Sequence, residues 1–215
     1  MGIQYWPGLK QNEDSLNLAI KLLEKTFEAE VTIISLNEYI QSGISYKEVK
    51  NSLKKDYERA LDNGYTKVVA VSSGASLFIA VANDRKAESV IFLAPTLKPI
   101  NLVQMIKDKR KGIENDYKKF SFSDTRFVFR AALSASLNKK CLAGVPTLII
   151  QGTKDELIRP RGGTTLQKKL TRYDKQILGL HEFHLMNGRH DLLFEEETRE
   201  ICLQIMQNFM KRNNQ

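Results

Sequence analysis

The sequence has 215 residues, which is long enough for one sizeable hydrophobic core and short for two, so it predicts a single domain over residues 1–215. With 42% hydrophobic and 27% charged residues it has the composition of an ordinary globular protein, and no apolar run reaches the roughly 18 residues of a membrane span. The first residues lack the pattern of a secretion signal, and Cys141 and Cys202 lie in unrelated contexts. We therefore expect free thiols and a cytoplasmic protein.

The formal net charge of +8 raises the question of a nucleic-acid partner. Most basic residues are scattered singly or in pairs, and residues 107–111 form the one denser cluster. No aromatic-rich RNA-binding motif or zinc-finger spacing accompanies them. We expect a solvated, lysine-rich surface and no nucleic-acid partner, and we keep a binder of nucleic acid or of an anionic surface as a third hypothesis.

Short apolar segments alternate with amphipathic ones along the chain. The apolar segments predict strands at residues 3–6, 31–36, 67–71, 90–93, 145–150 and 182–186. The amphipathic segments predict a first helix that is capped by Asp14 or Ser15. They predict further helices over about 45–61, 73–82 and 195–211. Continuous apolar strands separated by helices predict a mostly parallel sheet of about six strands, covered on both faces in a three-layer α/β/α sandwich.

One region breaks this alternation. About fifty residues between the strands at 90–93 and 145–150 carry many aromatic and basic residues and no clear strand pattern. Because a structureless loop of that length is improbable, we expect helices there. Two interpretations stay open: a single crossover helix, or a small helical lid at about 97–143 whose aromatic side chains line a pocket.

A run of small residues directly follows the strand predicted at 67–71. The sequence runs Ser72-Ser73-Gly74-Ala75-Ser76 and then continues as an apolar helix. Only small side chains fit where a strand passes directly into a helix. The free N–H groups and the dipole at the start of the helix favour negative charge. A hydroxyl group on this turn would be exposed beside a place where an oxyanion is stabilised.

An acid and a histidine follow two other predicted strands. Asp155 comes after the strand at 145–150, and His190 lies between the last strand and the last helix. Parallel sheets place their sites at the carboxyl ends of strands, so we expect both side chains to lie at the same sheet edge as the small-residue turn. A serine becomes nucleophilic when a base takes its proton, and the base works best when a carboxylate orients it.

These residues carry a resemblance to a known superfamily. Residues 70–74, Ala-x-Ser-x-Gly, resemble the G-x-S-x-G nucleophile elbow of α/β-hydrolases, with alanine in the first glycine position. The G-x-x-D motif ending at Asp155 and the G-x-H motif ending at His190 resemble the acid and base signatures of that superfamily, in the same chain order. The resemblance covers nearly the whole chain and implies the α/β-hydrolase fold of a small esterase-like, lipase-like or dienelactone-hydrolase-like member.

The resemblance also implies an activity and roles for individual residues. It implies a serine hydrolase that cleaves a carboxylic ester or thioester of a small acyl substrate, with no metal and no organic cofactor. Ser72 would be the nucleophile, His190 the general base and then acid, and Asp155 the residue that orients His190. The backbone N–H groups of Ser73 and of Leu9, which follows Pro7-Gly8, would form the oxyanion hole.

The register of the elbow leaves alternatives open. Ser73 is an alternative nucleophile, and a register that puts Gly74 in the nucleophile position would leave no nucleophile at all. The protein would then be a catalytically inactive binding protein with the same fold. Taken singly, Asp155 could merely cap a turn, and His190 could be a surface histidine, with His181 and His184 as further histidines.

Overall fold

The computed structural model describes residues 2–9, 11–34, 45–82, 86–96, 122–155, 158, 161–174 and 180–213. These residues form one parallel sheet whose strand order is β2-β1-β3-β4-β5-β6. The strands are β1 (Ile3–Trp6), β2 (Val31–Ile33), β3 (Lys67–Val71), β4 (Ser89–Leu93), β5 (Thr147–Gly152) and β6 (His181–Met186). The predicted six-stranded parallel sheet is thereby confirmed.

Helices cover both faces of this sheet. In the described residues they are α1 (Glu13–Phe27), α2 (Tyr46–Asp62), α3 (Ser73–Val81), α4 (Phe122–Asn138), α5 (Arg161–Tyr173) and α6 (Glu196–Arg212). Helices α1 and α6 share one hydrophobic core with the sheet, and α2, α3, α4 and α5 share the other. This confirms the three-layer sandwich. None of the helices in these ranges combines the length and the apolar character that a membrane crossing requires.

The starts of the first two helices show how local sequence sets helix boundaries. Helix α1 is capped by Asn12, whose side-chain oxygen accepts a hydrogen bond from the Ser15 amide at 2.8 Å, so the predicted cap at Asp14 or Ser15 is wrong. The cap lies earlier because acidic residues are favourable within the first helical turn, where Asp14 lies. Helix α2 begins with a capping box between Ser45 and Glu48, which fits the predicted start near residue 45.

Helix α5 and the bounds of β2 and β5 differ from the prediction, and β5 covers Thr147–Gly152 instead of 145–150. Helix α5 (Arg161–Tyr173) was not predicted, because its buried apolar positions are sparse, Leu166 and Leu170, and a Gly-Gly pair occupies its first turn. Strand β2 ends at Ile33, earlier than the predicted residue 36. Residues 35–36 lie outside the described residues.

The predicted lid at about 97–143 is described in part. Residues 97–121 lie outside the described residues, so the lid remains a prediction there. The rest contains α4, which buries Ala131 and Ala135 in the core it shares with α3. The Asn138 side-chain amide donates to the carbonyls of Ile79 and Ala82 at 2.6 and 2.8 Å and ties the end of α4 to α3. Helix α4 therefore belongs to the layer that covers the sheet.

Candidate active site

Ser72 occupies the sharp turn between β3 and α3. Its backbone has a φ of 51° and a ψ of −118°, a conformation that residues other than glycine rarely adopt. Backbone strain of this kind costs about 1–3 kcal/mol and persists where the surrounding structure imposes it. Helix α3 begins at the next residue, so its first N–H groups face the turn that carries the Ser72 side chain.

Close backbone packing explains the small residues around this turn. A Cβ atom at Gly74 would lie 2.3 Å from the Trp6 carbonyl oxygen and 2.5 Å from the Pro7 carbonyl oxygen. The start of α3 is therefore pressed against the end of β1, which leaves no room for a side chain at residue 74. Gly8 follows on the same loop, where a Cβ would lie 3.4 Å from the Ser72 Cβ. The loop after β1 thus packs directly on the elbow.

The structure brings the three expected side chains together. His190 Nε2 lies 2.9 Å from Ser72 Oγ, and His190 Nδ1 lies 2.9 Å from Asp155 Oδ2. The Asp155 side chain is fully buried, whereas 13% of the His190 side chain is exposed to solvent. A buried carboxylate at Nδ1 favours the tautomer that has its proton there and leaves Nε2 free to accept the serine proton.

Two further donors hold the Asp155 carboxylate in place. The amide of Gln151, a fully buried residue at the end of β5, donates to Asp155 Oδ2 at 2.7 Å. The backbone N–H of Ile158 donates to the other oxygen, Oδ1, at 2.8 Å. Charged hydrogen bonds of this kind are stronger than neutral ones. Sequence analysis missed Gln151, although a polar residue that ends an apolar strand four positions before the acid is a usable signal.

The loop that carries His190 rests directly on the end of β5. A Cβ atom at Gly152 would lie 2.1 Å from the Arg189 carbonyl oxygen and 2.3 Å from the Gly188 carbonyl oxygen. The Lys154 amide also donates to the Gly188 carbonyl at 2.9 Å. The glycine of the G-x-x-D motif therefore lets the histidine loop pack directly on the end of the strand that precedes the acid.

The other two histidines contact different acids. His181 Nε2 lies 2.8 Å from Asp174 Oδ2 at the beginning of β6, where the Gly144 amide also donates to Asp174. His184 Nε2 lies 3.2 Å from Glu182 Oε2 along the same strand. Both histidines belong to β6 itself, whereas His190 follows its carboxyl end, as sequence analysis expected for the site.

Ser73 and Leu9 contact each other rather than the histidine. The Leu9 N–H donates to Ser73 Oγ at 2.8 Å, and Ser73 is buried. This bond fastens the loop after β1 to the first residue of α3. The expected oxyanion role of the Leu9 N–H stays a prediction, and it requires that this N–H be shared with Ser73 Oγ or released from it.

Thr96 is a further residue beside the elbow that sequence analysis missed. Its backbone N–H donates to the Ser72 carbonyl at 3.0 Å, and its Oγ1 lies 3.3 Å from Ser72 Oγ. Thr96 is buried, and its carbonyl accepts a hydrogen bond from the Ser76 hydroxyl. No sequence motif marks a threonine after β4, because its proximity to Ser72 arises only when β3 and β4 pair.

Within the described ranges, no group of three or more His, Cys, Asp or Glu side chains could hold a metal ion. The chemistry that the described groups themselves support is proton transfer from the serine to the histidine, with the aspartate orienting the histidine. A hydroxyl group, an imidazole and a buried carboxylate in this order form the arrangement that activates serine as a nucleophile.

No protein-family model matches the chain, and no curated protein matches it in sequence. Solved structures do match. A monoacylglycerol lipase from Paleococcus ferrophilus has a TM-score of 0.68 at 14% identity, covering 98% of this chain and 94% of the lipase. An esterase from Pyrococcus furiosus has a TM-score of 0.66 at 15% identity, covering 98% and 81%. A soluble variant of the Saccharomyces cerevisiae monoglyceride lipase has a TM-score of 0.66 at 12% identity, covering 98% and 86%. With its parallel sheet and its strained turn between β3 and α3, the chain has the α/β-hydrolase fold.

Proposed function

We propose that this protein is a serine hydrolase that cleaves a carboxylic ester or thioester of a small acyl group. The observation that carries the proposal is the continuous chain from Ser72 Oγ through both nitrogens of His190 to Asp155 Oδ2, with 2.9 Å at each step. The fold neighbours named as an esterase and as monoacylglycerol lipases support ester chemistry. The strained backbone of Ser72 supports its role as the nucleophile.

In the first half of the reaction, Ser72 Oγ attacks the acyl carbon while His190 Nε2 takes the serine proton. Asp155 accepts a hydrogen bond from Nδ1–H and stabilises the imidazolium that forms. His190 then gives the proton to the departing alcohol or thiol, so the bond to the leaving group breaks and an acyl-Ser72 ester remains. In the second half, a water molecule takes the place of the leaving group and releases the acid.

The negative charge on the acyl oxygen needs hydrogen-bond donors during both halves. The Ser73 N–H is the first amide of α3, where the helix leaves amides without partners in the helix. The Leu9 N–H is the second candidate, if Ser73 Oγ shares or releases it. Each such donor is typically worth about 3 kcal/mol of transition-state stabilisation. The rate therefore depends strongly on whether the Leu9 N–H is available to the acyl oxygen.

Labelling with a fluorophosphonate probe, followed by peptide mapping, tests the nucleophile directly. Such a probe reacts with a serine that a base activates, so we expect its mass on Ser72 and no labelling of a Ser72→Ala variant. Ser73→Ala is the matched control and should still be labelled on Ser72. Mass on Ser73 would move the nucleophile to that residue, and a folded protein without label would favour the inactive binding protein.

A panel of nitrophenyl esters tests the substrate class. We expect turnover of acetate and butyrate esters and little turnover of a palmitate ester, because the proposal specifies a small acyl group. Thioester turnover is measured in parallel with a short acyl thioester and a thiol reagent. Turnover that persists in the Ser72→Ala variant would come from another site or a contaminant and would contradict the proposal.

A further inference from the structure

A second hydroxyl group lies beside the proposed nucleophile, on an element that neither the acid nor the histidine uses. Thr96 follows β4 and its Oγ1 lies 3.3 Å from Ser72 Oγ. We propose that Thr96 is a positioning residue whose hydroxyl donates to Ser72 Oγ and holds this oxygen in the orientation for attack. This inference rests on the proposed serine hydrolase function.

The direction of this hydrogen bond follows from the other contact of Ser72. A hydroxyl group has one proton and two lone pairs, and the reactive arrangement directs the Ser72 proton to His190 Nε2, 2.9 Å away. The bond between the two hydroxyl groups then requires Thr96 Oγ1 to be the donor. Ser72 Oγ keeps one lone pair for the acyl carbon.

Two backbone contacts of Thr96 fix it in this place. Its N–H donates to the Ser72 carbonyl at 3.0 Å, and its carbonyl accepts from the Ser76 hydroxyl one turn into α3. The Ser72 N–H in turn donates to the Leu93 carbonyl at 2.9 Å, so the strand end and the elbow are joined twice. A hydroxyl group held this firmly by its backbone needs little reorganisation to act on Ser72.

The backbone path to Thr96 is itself strained. Ala94 has a φ of 44°, which residues other than glycine rarely adopt, and its N–H donates to the Ile150 carbonyl at 2.9 Å. Ser72 and Ala94 thus both carry strain, at the ends of adjacent strands. Strained residues cluster where function requires a particular geometry, and here both bends bring Thr96 to the nucleophile.

The same hydroxyl group acts on the second half of the reaction. When water attacks the acyl-Ser72 ester, the bond between the acyl carbon and Ser72 Oγ breaks, and His190 returns the proton to Oγ. Negative charge grows on Oγ before that proton arrives, and a hydroxyl donor at this oxygen stabilises the charge. We therefore expect Thr96 to raise both the acylation rate and kcat, with little effect on substrate binding.

The test compares Thr96→Val with Thr96→Ser in the full-length chain. Valine keeps the shape and the backbone contacts but removes the hydroxyl group, whereas serine keeps it. A hydrogen bond of this kind predicts that Thr96→Val lowers the fluorophosphonate labelling rate of Ser72 and kcat about 3- to 10-fold, with KM unchanged. The labelling rate and kcat of Thr96→Ser should remain within about twofold of those of the original protein. If both variants unfold at the same temperature, a merely structural role of Thr96 would not predict this difference between them.

The outcomes separate this inference from the proposed function. If the original protein is labelled on Ser72, and Thr96→Val is labelled and hydrolyses its substrate at the same rates, the inference about Thr96 fails and the proposed function stands. If Thr96→Val loses rate only in proportion to a loss of folded protein, or if Thr96→Ser is equally slow, the inference fails as well. If the original protein is not labelled, the proposed function fails and the role of Thr96 fails with it.

Discussion

His190 Nε2 lies 2.9 Å from Ser72 Oγ, although 118 positions separate the two residues in the chain. Two glycines make this approach possible, because Gly74 lets the end of β1 pack on the elbow and Gly152 lets the histidine loop pack on β5. A side chain at either position would push a backbone segment away by more than an ångström. The distance between the proposed nucleophile and its base is therefore set by backbone packing at the sheet edge.

The strain at Ser72 predicts that two variants without the hydroxyl group differ in stability. We expect Ser72→Gly to be about 1 kcal/mol more stable than Ser72→Ala, because glycine adopts a positive φ without steric cost, even after the entropy that it adds to the unfolded chain. That difference corresponds to about 2–4 °C in the unfolding temperature of a chain of this size. Both variants should lack esterase activity. Thermal unfolding followed by circular dichroism measures the difference, and an alanine variant at least as stable as the glycine variant would contradict the strained backbone.

The proposed role of Asp155 predicts a large fall in kcat when the charge of its side chain is removed. In Asp155→Asn the amide can donate to His190 Nδ1, which favours the wrong tautomer, so we expect kcat to fall roughly a thousandfold or more. Asp191→Asn is the matched control, because Asp191 is the exposed neighbour of His190 in sequence. It should change kcat by less than about threefold, since an exposed charge is screened by water. Comparable losses in both variants would show that Asp155 has no special role.

Sequence reasoning succeeded where the local pattern determines the structure. The strands predicted at residues 67–71 and 145–150 are observed at Lys67–Val71 and Thr147–Gly152. Both are buried along their whole length, and the continuous apolar runs that predicted them are typical of strands covered on both faces. Ser72, Asp155 and His190 lie one, three and four residues after the ends of β3, β5 and β6, so the parallel sheet brings them to one edge. Their distances could not be predicted, because they depend on how the glycine contacts bring the loops together.

It failed where a role comes from contacts that are distant in the chain. Thr96 lies in a segment with no motif, and it becomes part of the site only through Ser72, 24 positions earlier in the chain. Gln151 is a different case, because its partner Asp155 is only four positions away, but the folding of the loop between them decides whether the amide reaches the carboxylate. Helix α5 was missed because it has two glycines in its first turn and only two buried leucines, Leu166 and Leu170. Leu9 shows a subtler case: its N–H lies near the elbow as the resemblance implies, yet it donates to Ser73 Oγ.

The glycines beside Ser72 predict that two similar substitutions, Gly74→Ala and Gly8→Ala, differ strongly in their effect on the free energy of unfolding. We expect Gly74→Ala to cost at least about 3 kcal/mol of unfolding free energy, because its Cβ would lie 2.3 Å from the backbone oxygen of Trp6, which cannot move without shifting β1. Gly8→Ala should cost less than about 1 kcal/mol, since its Cβ would meet Ser72 Cβ at an ordinary 3.4 Å. Urea unfolding of the two variants measures this contrast. Similar midpoints for both would show that the elbow does not pack on β1 as closely as described.

The buried thiol of α6 predicts a pH dependence of stability. Burial raises the pKa of Cys202 from its ordinary value of 9.0 to about 12. The thiol of the unfolded chain therefore ionises first, so the stabilisation that this group provides is complete below about pH 9 and is lost as the pH rises towards 12. Between about pH 8 and pH 10 the loss amounts to about 1.4 kcal/mol of unfolding free energy.

A Cys202→Ala variant isolates this contribution from all other titrating groups. We expect its unfolding free energy, measured in urea at both pH values, to fall by about 1.4 kcal/mol less than that of the original protein. The absolute stability of the variant does not matter, because only the change with pH is compared. In the folded protein the Cys202 thiol should also resist iodoacetamide at pH 8, because a neutral thiol is a poor nucleophile, and it should react once urea unfolds the chain. An identical fall with pH in both proteins would mean that Cys202 is accessible to water in the folded state.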